Sequence, residues 1–173
     1  MGLLSADNPR DTLVAWVFVI VQFVLIVAVA VMPVGAAWTL PGWADTAAWW
    51  LQLVGVGVLV LALVNLGRSL TPLPTPVPHG QLTVGGLYRL VRHPIYTGIM
   101  ALVTGVALRS GSYVVVAAAT ALIGWFMVKA RWEEGHLLAR YPGYREYARR
   151  TARFVPGWPT HTVGMGPPDA TAG

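Results

Sequence analysis

From Thr12 to Met32 the chain runs for 21 residues without a charge, and Gln22 is the single polar amide in that run. At 1.5 Å per residue such a helix is about 31 Å long, enough to cross the roughly 30 Å hydrocarbon core of a bilayer. It is too long for a signal-peptide core, and Asp7 and Asp11 spoil the basic region such a peptide needs, so it reads as a retained span. Ala6 also breaks the myristoylation pattern that Met1-Gly2 would begin. A second uncharged run, Thr46 to Gly67, carries Trp49 and Trp50 near its start, where they suit the interfacial aromatic belt. Two shorter apolar stretches, Ile95 to Leu108 and Ser112 to Val128, are separated only by Arg109-Ser110-Gly111. They read as a helical hairpin with Pro94 in its first turn; a re-entrant loop is the rival reading.

The expected fold is therefore an all-α integral membrane protein with about four transmembrane helices, at 12–32, 46–67, 94–108 and 112–128. A cytoplasmic helical extension follows over 129–153. One domain covers 1–157, and 158–173, rich in Gly, Pro and Thr, reads as a disordered tail. Composition agrees: 55% of residues are hydrophobic and 11% charged, with a mean hydropathy of +0.60, whereas soluble domains carry about 25% charged residues. With no cysteine, disulfides, thiolate zinc sites, iron–sulfur clusters and cysteine nucleophiles are excluded.

The net charge of +5 would suggest nucleic acid in a soluble protein, but its placement argues otherwise. With four spans, 11 of the 12 basic residues fall on one side and only Arg109 on the other. The positive-inside rule then puts both termini and the 68–94 loop in the cytoplasm, in a multi-pass cell-membrane protein. The basic excess reads as topology and attraction to anionic lipid, with no nucleic-acid partner.

The polar segments carry the chemistry-bearing residues. Thr71 to Pro78 alternates proline at four positions, an extended polyproline-like spacer along the membrane surface. After Gly85-Gly86, the stretch Leu87 to Gly98 brings Arg92, His93 and Tyr96 to the water–lipid boundary. Beyond the fourth span, Lys129, Glu133 and Leu137 share one helical stripe, and Glu134 is expected to point about 100° away. Pro142-Gly143 stops that helix, and Tyr144 to Arg153 can form a short basic one. Gly55, Gly57 and Gly105 permit close helix contacts. The chain has no Walker loop, no dinucleotide fingerprint after a strand, no His-Glu-x-x-His and no set of metal ligands.

In order, Gly86-Leu-Tyr88-Arg-x-x-Arg92-His93-Pro94-x-Tyr96-x-Gly98, an apolar hairpin, Glu133-Glu134-x-x-Leu137-x-x-x-Tyr141, Tyr144-x-x-Tyr147 and a terminal Pro156 resemble the isoprenylcysteine carboxyl methyltransferase family and its bacterial members. Membrane phospholipid methyltransferases share parts of the pattern. The resemblance covers about Leu66 to Gly157 and implies a membrane enzyme that binds S-adenosylmethionine at the cytoplasmic face. It implies a cofactor site lined by Leu82, Thr83, Tyr88, His93, Pro94, Ile95 and Tyr96, with Glu133 as the acidic position that holds the cofactor and Glu134 as its neighbour. Lys129 stands where the prenylcysteine enzymes have an arginine facing the substrate carboxylate. A lysine cannot reproduce that bidentate fork, and Arg131, two positions on, lies about 200° around the helix.

The residue chemistry is consistent with that implication. Methyl transfer from a sulfonium relies on approach geometry and water exclusion, and a cofactor with ammonium and ribose hydroxyl groups suits carboxylates and aromatic faces. His93 can serve as a base where the acceptor must lose a proton, or as a hydrogen-bonding group. The acceptor is expected to be a lipophilic or amphiphilic small molecule, methylated at O, N or S, reaching the site from the lipid bilayer. Two alternatives are a membrane reductase using a reduced nicotinamide and a non-catalytic scaffold or small transporter. Sterol reductases look similar around Arg-His-Pro but carry Asn where Ile95 stands, and the Glu133-Glu134 pair argues against a scaffold.

Overall fold

The computed structural model describes residues 9–66 and 84–158. The proline-rich stretch 71–78, Leu82, Thr83 and the residues beyond 158 lie outside the described residues. Among the described residues five α-helices follow one another: α1 (Pro9–Val31), α2 (Gly42–Leu66), α3 (Pro94–Arg109), α4 (Tyr113–Arg140) and α5 (Tyr144–Arg150), with a 3-10 turn at Gly86–Arg89 before α3. Among the described residues the one β-type pairing is a single bridge, Val91 to Ala152.

The uncharged runs form the expected helices, with starts earlier than expected. α1 begins at Pro9 and α2 at Gly42, because Asp11 and Asp45 are tolerated, indeed favoured, in the first turn of a helix. Among the described residues three helices are long and apolar enough to cross a membrane: Arg10–Val31, Gly42–Leu66 and Tyr113–Arg140. The expected third span is shorter than its neighbours. α3 has 16 residues, about 24 Å at 1.5 Å per residue, against a core of roughly 30 Å. The fourth span runs on past Val128 as expected, and α4 continues unbroken for 28 residues to Arg140. Nothing between Val128 and Arg140 interrupts a helix; the first breaker is Pro142. Counted from Tyr113, about 20 residues traverse the apolar core, so Lys129 and Glu133 arrive near the far boundary.

The helices run antiparallel in sequence. α3 packs chiefly on α2, and α4 lies against both α1 and α3. Asp11 faces His136, Phe18 meets Trp125 and Trp132, and Gln22 meets Lys129. The N-terminus of α1, the C-terminus of α2, the N-terminus of α3 and the C-terminus of α4 therefore share one end. At the opposite end Gly35 and Ala37 donate backbone hydrogen bonds to Ser110 and Gly111, and Arg109 pairs with Asp45 at 2.7 Å. Gly111 turns the hairpin with φ +59°, where a side chain would be strained.

The α2–α3 contact depends on three glycines, Gly55, Gly98 and Gly105, the last facing the Ala48 carbonyl. A Cβ at Gly98 would stand 2.8 Å from the Gly55 carbonyl oxygen and 2.8 Å from the Leu59 amide nitrogen, and one at Gly55 would meet the Leu102 backbone at 2.6 Å. Gly98, which the sequence offers only as part of a motif, is thus a packing residue. Gly57, expected as a contact glycine, has open space around it. Gly98→Ala is expected to destabilise by about 1–3 kcal/mol through overpacking, while Gly57→Ala leaves stability unchanged or raises it slightly. Thermal melting followed by tryptophan fluorescence in detergent checks both, and equal melting temperatures would contradict this packing.

Candidate functional site

The site is assembled at the end where α3 begins. His93 occupies the N-cap position of α3, and Pro94 takes the first helical position, where its missing N–H costs nothing. The segment just after α5 straps this entrance. Arg92 and His93 donate backbone hydrogen bonds to the Ala152 and Arg153 carbonyls (2.8 and 3.1 Å), and the Thr97 hydroxyl donates to Phe154 O at 2.8 Å. The Tyr147 hydroxyl donates to Tyr88 O at 2.6 Å.

Two adjacent carboxylates on α4 meet this segment in different ways. Glu134 is almost fully buried, at 4% exposure. Arg153 grips it with a bidentate fork, Nε to Oε1 at 3.0 Å and Nη2 to Oε2 at 2.6 Å. His93 Nε2 lies 3.1 Å from Oε1, and Arg92 Nε stands 3.3 Å away. The oxygens of Glu134 are thus committed to protein donors. Glu134 does not point away from the site as the helical spacing suggested. The 100° offset turns it from the Lys129 stripe toward Arg92, His93 and Arg153, and their three cationic or imidazole groups make its burial affordable.

Glu133 has more spare capacity. Tyr96 OH donates to Oε1 at 2.5 Å. His93 Nδ1 lies 3.6 Å from Oε2, and Lys129 Nζ lies 4.0 Å from Oε1. A carboxylate has about four acceptor positions, so Glu133 keeps several for a ligand. Aromatic faces surround it: the His93 and Tyr96 rings are stacked 5.3 Å apart, Tyr96 stacks on Phe126 at 4.6 Å, and Lys129 Nζ stands 5.3 Å from the Tyr96 ring centre. Burial, reinforced by the nearby Glu133 carboxylate, pushes the Tyr88 phenol up to about 12, so at neutral pH it remains a hydrogen-bond donor.

Of the residues expected from sequence, Tyr88, His93, Pro94, Tyr96, Lys129, Glu133 and Glu134 converge here. Ile95 turns instead to the apolar core, one helical step from Tyr96. Three participants were not anticipated as such. The sequence offered Arg153 only as the end of a short basic helix, Arg92 as a residue of the water–lipid boundary, and Gln22 as the single polar amide of an uncharged run. Gln22 Oε1 accepts from Lys129 Nζ at 2.6 Å, and its isolation in an apolar run was the signal available. Among the described residues no group of three or more His, Asp or Glu side chains is arranged to hold a metal ion.

Comparison with known proteins adds to this geometry. The family model of phospholipid methyltransferases matches residues 43–143, which takes in α2, α3 and α4. The chain is 28% identical over 119 residues to Protein-S-isoprenylcysteine O-methyltransferase B of Arabidopsis thaliana, covering 62% of this chain and 60% of that protein. It is 29% identical, with the same coverage, to Protein-S-isoprenylcysteine O-methyltransferase A of that plant. To the cobalt-zinc-cadmium resistance protein CzcN of Cupriavidus metallidurans it is 31% identical over 106 residues, covering 60% of this chain and 49% of that protein. These matches thus span from about half to three-fifths of the relatives' lengths. No solved structure matches the chain. With the family model covering more than half of its length, the chain belongs to the phospholipid methyltransferase family.

Proposed function

We propose that this protein is an S-adenosylmethionine-dependent integral membrane methyltransferase that acts on a lipophilic or amphiphilic small molecule at the cytoplasmic face. The observation that carries the reading is Glu133, a carboxylate with spare acceptor capacity among Tyr88, His93, Tyr96 and Lys129. The donor set fits the cofactor's chemistry, because a carboxylate answers an ammonium or ribose hydroxyl and aromatic faces answer a sulfonium. Bound there, S-adenosylmethionine supplies a methyl group already activated for displacement.

The chain's own residues have separate tasks in this reading. Glu133 and Tyr88 bind and orient the cofactor. The stacked rings of His93, Tyr96 and Phe126 keep water away. Glu134, Arg92 and Arg153 hold His93 in place, with its Nε2 engaged and its Nδ1 turned toward Glu133. Where the acceptor sheds a proton on methylation, His93 Nδ1 is the nearest ring nitrogen to receive it. Lys129, pinned to Gln22, offers a single compact charge rather than a guanidinium fork. A lipophilic amine, thiol or hydroxyl acceptor is therefore expected to turn over better than a prenylcysteine carboxylate.

Calorimetric titration of the detergent-solubilised protein separates this reading from the reductase and scaffold alternatives. S-adenosylmethionine is expected to bind and a reduced nicotinamide is not. Binding of the nicotinamide alone would favour the reductase, and binding of neither would favour the scaffold. Orientation is tested by single cysteines in this cysteine-free chain, with Tyr113 and Arg145 chosen because both are exposed. In intact cells an impermeant thiol reagent is expected to label Tyr113→Cys and to spare Arg145→Cys; the reverse pattern would invert the topology.

A further inference from the structure

A cavity of about 710 Å³ lies against the α3–α4 hairpin, on the opposite face of α4 from Lys129. Arg131 is two residues from Lys129, about 200° around the helix, and it lines this cavity while Lys129 turns to Gln22 on α1. The walls are mostly apolar, with Met100, Ala101, Ile123 and Met127 along α3 and α4 and Leu51 contributed by α2. The polar end is strongly basic, for Arg92, Arg131 and Arg153 all line it.

Among the described residues the charges at that end are not balanced. Of the three guanidiniums there, Arg92 and Arg153 share one carboxylate, Glu134. Arg153 takes both oxygens of Glu134. Arg92 is 4% exposed, and although its Nη1 donates to Ala148 O, its Nη2 has no hydrogen-bond partner among the described residues. Arg131 is exposed and makes no ion pair with a described residue. A buried donor left unmade costs free energy, so the cavity's basic end calls for an anion. The apolar remainder runs from Arg131 to Ile123, eight residues or about 12 Å along α4, and calls for a hydrocarbon chain beneath that anion.

From this combination we infer that the cavity is a binding site for an anionic phospholipid of the surrounding leaflet. Its phosphate sits between Arg131 and Arg92, and one acyl chain lies along the α3–α4 groove. The charge complementarity selects an acidic lipid over a neutral one, as basic pockets between membrane helices do for lipid headgroups. The site borders the Glu133–Glu134 cluster, with which it shares Arg92 and Arg153, and its occupant need take no part in methyl transfer.

Native mass spectrometry of the protein released from nanodiscs of equal phosphatidylglycerol and phosphatidylcholine content tests it. The parent is expected to retain one phosphatidylglycerol, with a preference of about tenfold over phosphatidylcholine. Arg131→Gln, at an exposed position, is expected to abolish that preference. Ala101→Trp, which fills the groove, is expected to abolish retention of either lipid, and Arg109→Gln, at the far end of the bundle, is expected to change nothing. Melting curves confirm that each variant is folded. Equal retention of the two lipids by the parent, an undiminished preference in Arg131→Gln, or retention of a neutral isoprenoid in place of phospholipid would overturn the proposal. S-adenosylmethionine titration of the same samples reports separately on the methyltransferase reading.

Discussion

Glu134→Gln is expected to destabilise the folded protein by about 3–5 kcal/mol, the usual result of removing one partner from a buried ion cluster. The parent carboxylate accepts a bidentate fork from Arg153, a hydrogen bond from His93 and the charge of Arg92 at 3.3 Å. A glutamine of the same shape keeps one acceptor oxygen and turns the other position into an N–H₂ that faces a guanidinium. Arg92 and Arg153 would then be two cations without a counter-ion at the entrance of α3. The backbone bonds that strap 152–154 to Arg92 and His93 depend on that cluster, so the strap loosens with it. Thermal melting in detergent, followed by tryptophan fluorescence, reads the loss directly. A melting temperature equal to the parent's would show that Glu134 does not organise this end of the molecule.

Glu133→Gln is expected to do the opposite: little change in stability and a large loss of cofactor affinity. Among the described residues its one hydrogen bond within the protein comes from Tyr96, which an amide oxygen also accepts, while His93 and Lys129 stand farther off at 3.6 and 4.0 Å. What the substitution removes is a negative charge available to a ligand. A charge-assisted hydrogen bond contributes about 1.5–3 kcal/mol, so S-adenosylmethionine affinity should fall roughly 10- to 150-fold. Calorimetry on the melted-and-checked variant measures it. Adjacent glutamates with identical side chains thus give opposite outcomes, one in stability and one in binding. Equal cofactor affinity in parent and variant would remove Glu133 from the site.

The membrane architecture was legible because it rests on a long-range average, the absence of charge over Thr12–Met32 and Thr46–Gly67. The end of α4 was legible too: a change from apolar to charged sequence at Lys129 marks where the helix leaves lipid, and Pro142 marks where the helix itself stops. The site was legible where residues act through fixed helical spacing, as with Lys129 and Glu133, or through proline geometry, as with His93-Pro94. Glu134 was misread because spacing gives direction relative to a neighbour on the same helix and says nothing of what lies opposite. Its partners come from the segment leading into α3 and from the segment after α5, 19 to 42 positions away along the chain. Arg153 could not be distinguished from Arg149 and Arg150, which pair with Glu146 on the surface. Gly98 and Gly57 look alike in sequence, and only the proximity of the α2 backbone separates them. Ser110, on the hairpin turn, is 5% exposed, with the segment at Gly35 and Ala37 bonded to the backbone of Ser110 and Gly111.

The central claim, that the Glu133 cluster supports methyl transfer to a lipophilic acceptor, is tested most directly by following the methyl group. Protein in lipid nanodiscs is incubated with methyl-labelled S-adenosylmethionine and a panel of lipophilic amine, thiol, hydroxyl and prenylcysteine carboxylate acceptors, and label is counted in the organic extract. The account predicts transfer to at least one amine, thiol or hydroxyl acceptor, weaker transfer to the carboxylate, and loss of transfer in Glu133→Gln at a cofactor concentration that saturates the parent only. Label transfer that is undiminished in folded Glu133→Gln under those conditions, or no transfer to any acceptor by a parent protein that binds no S-adenosylmethionine, would contradict it.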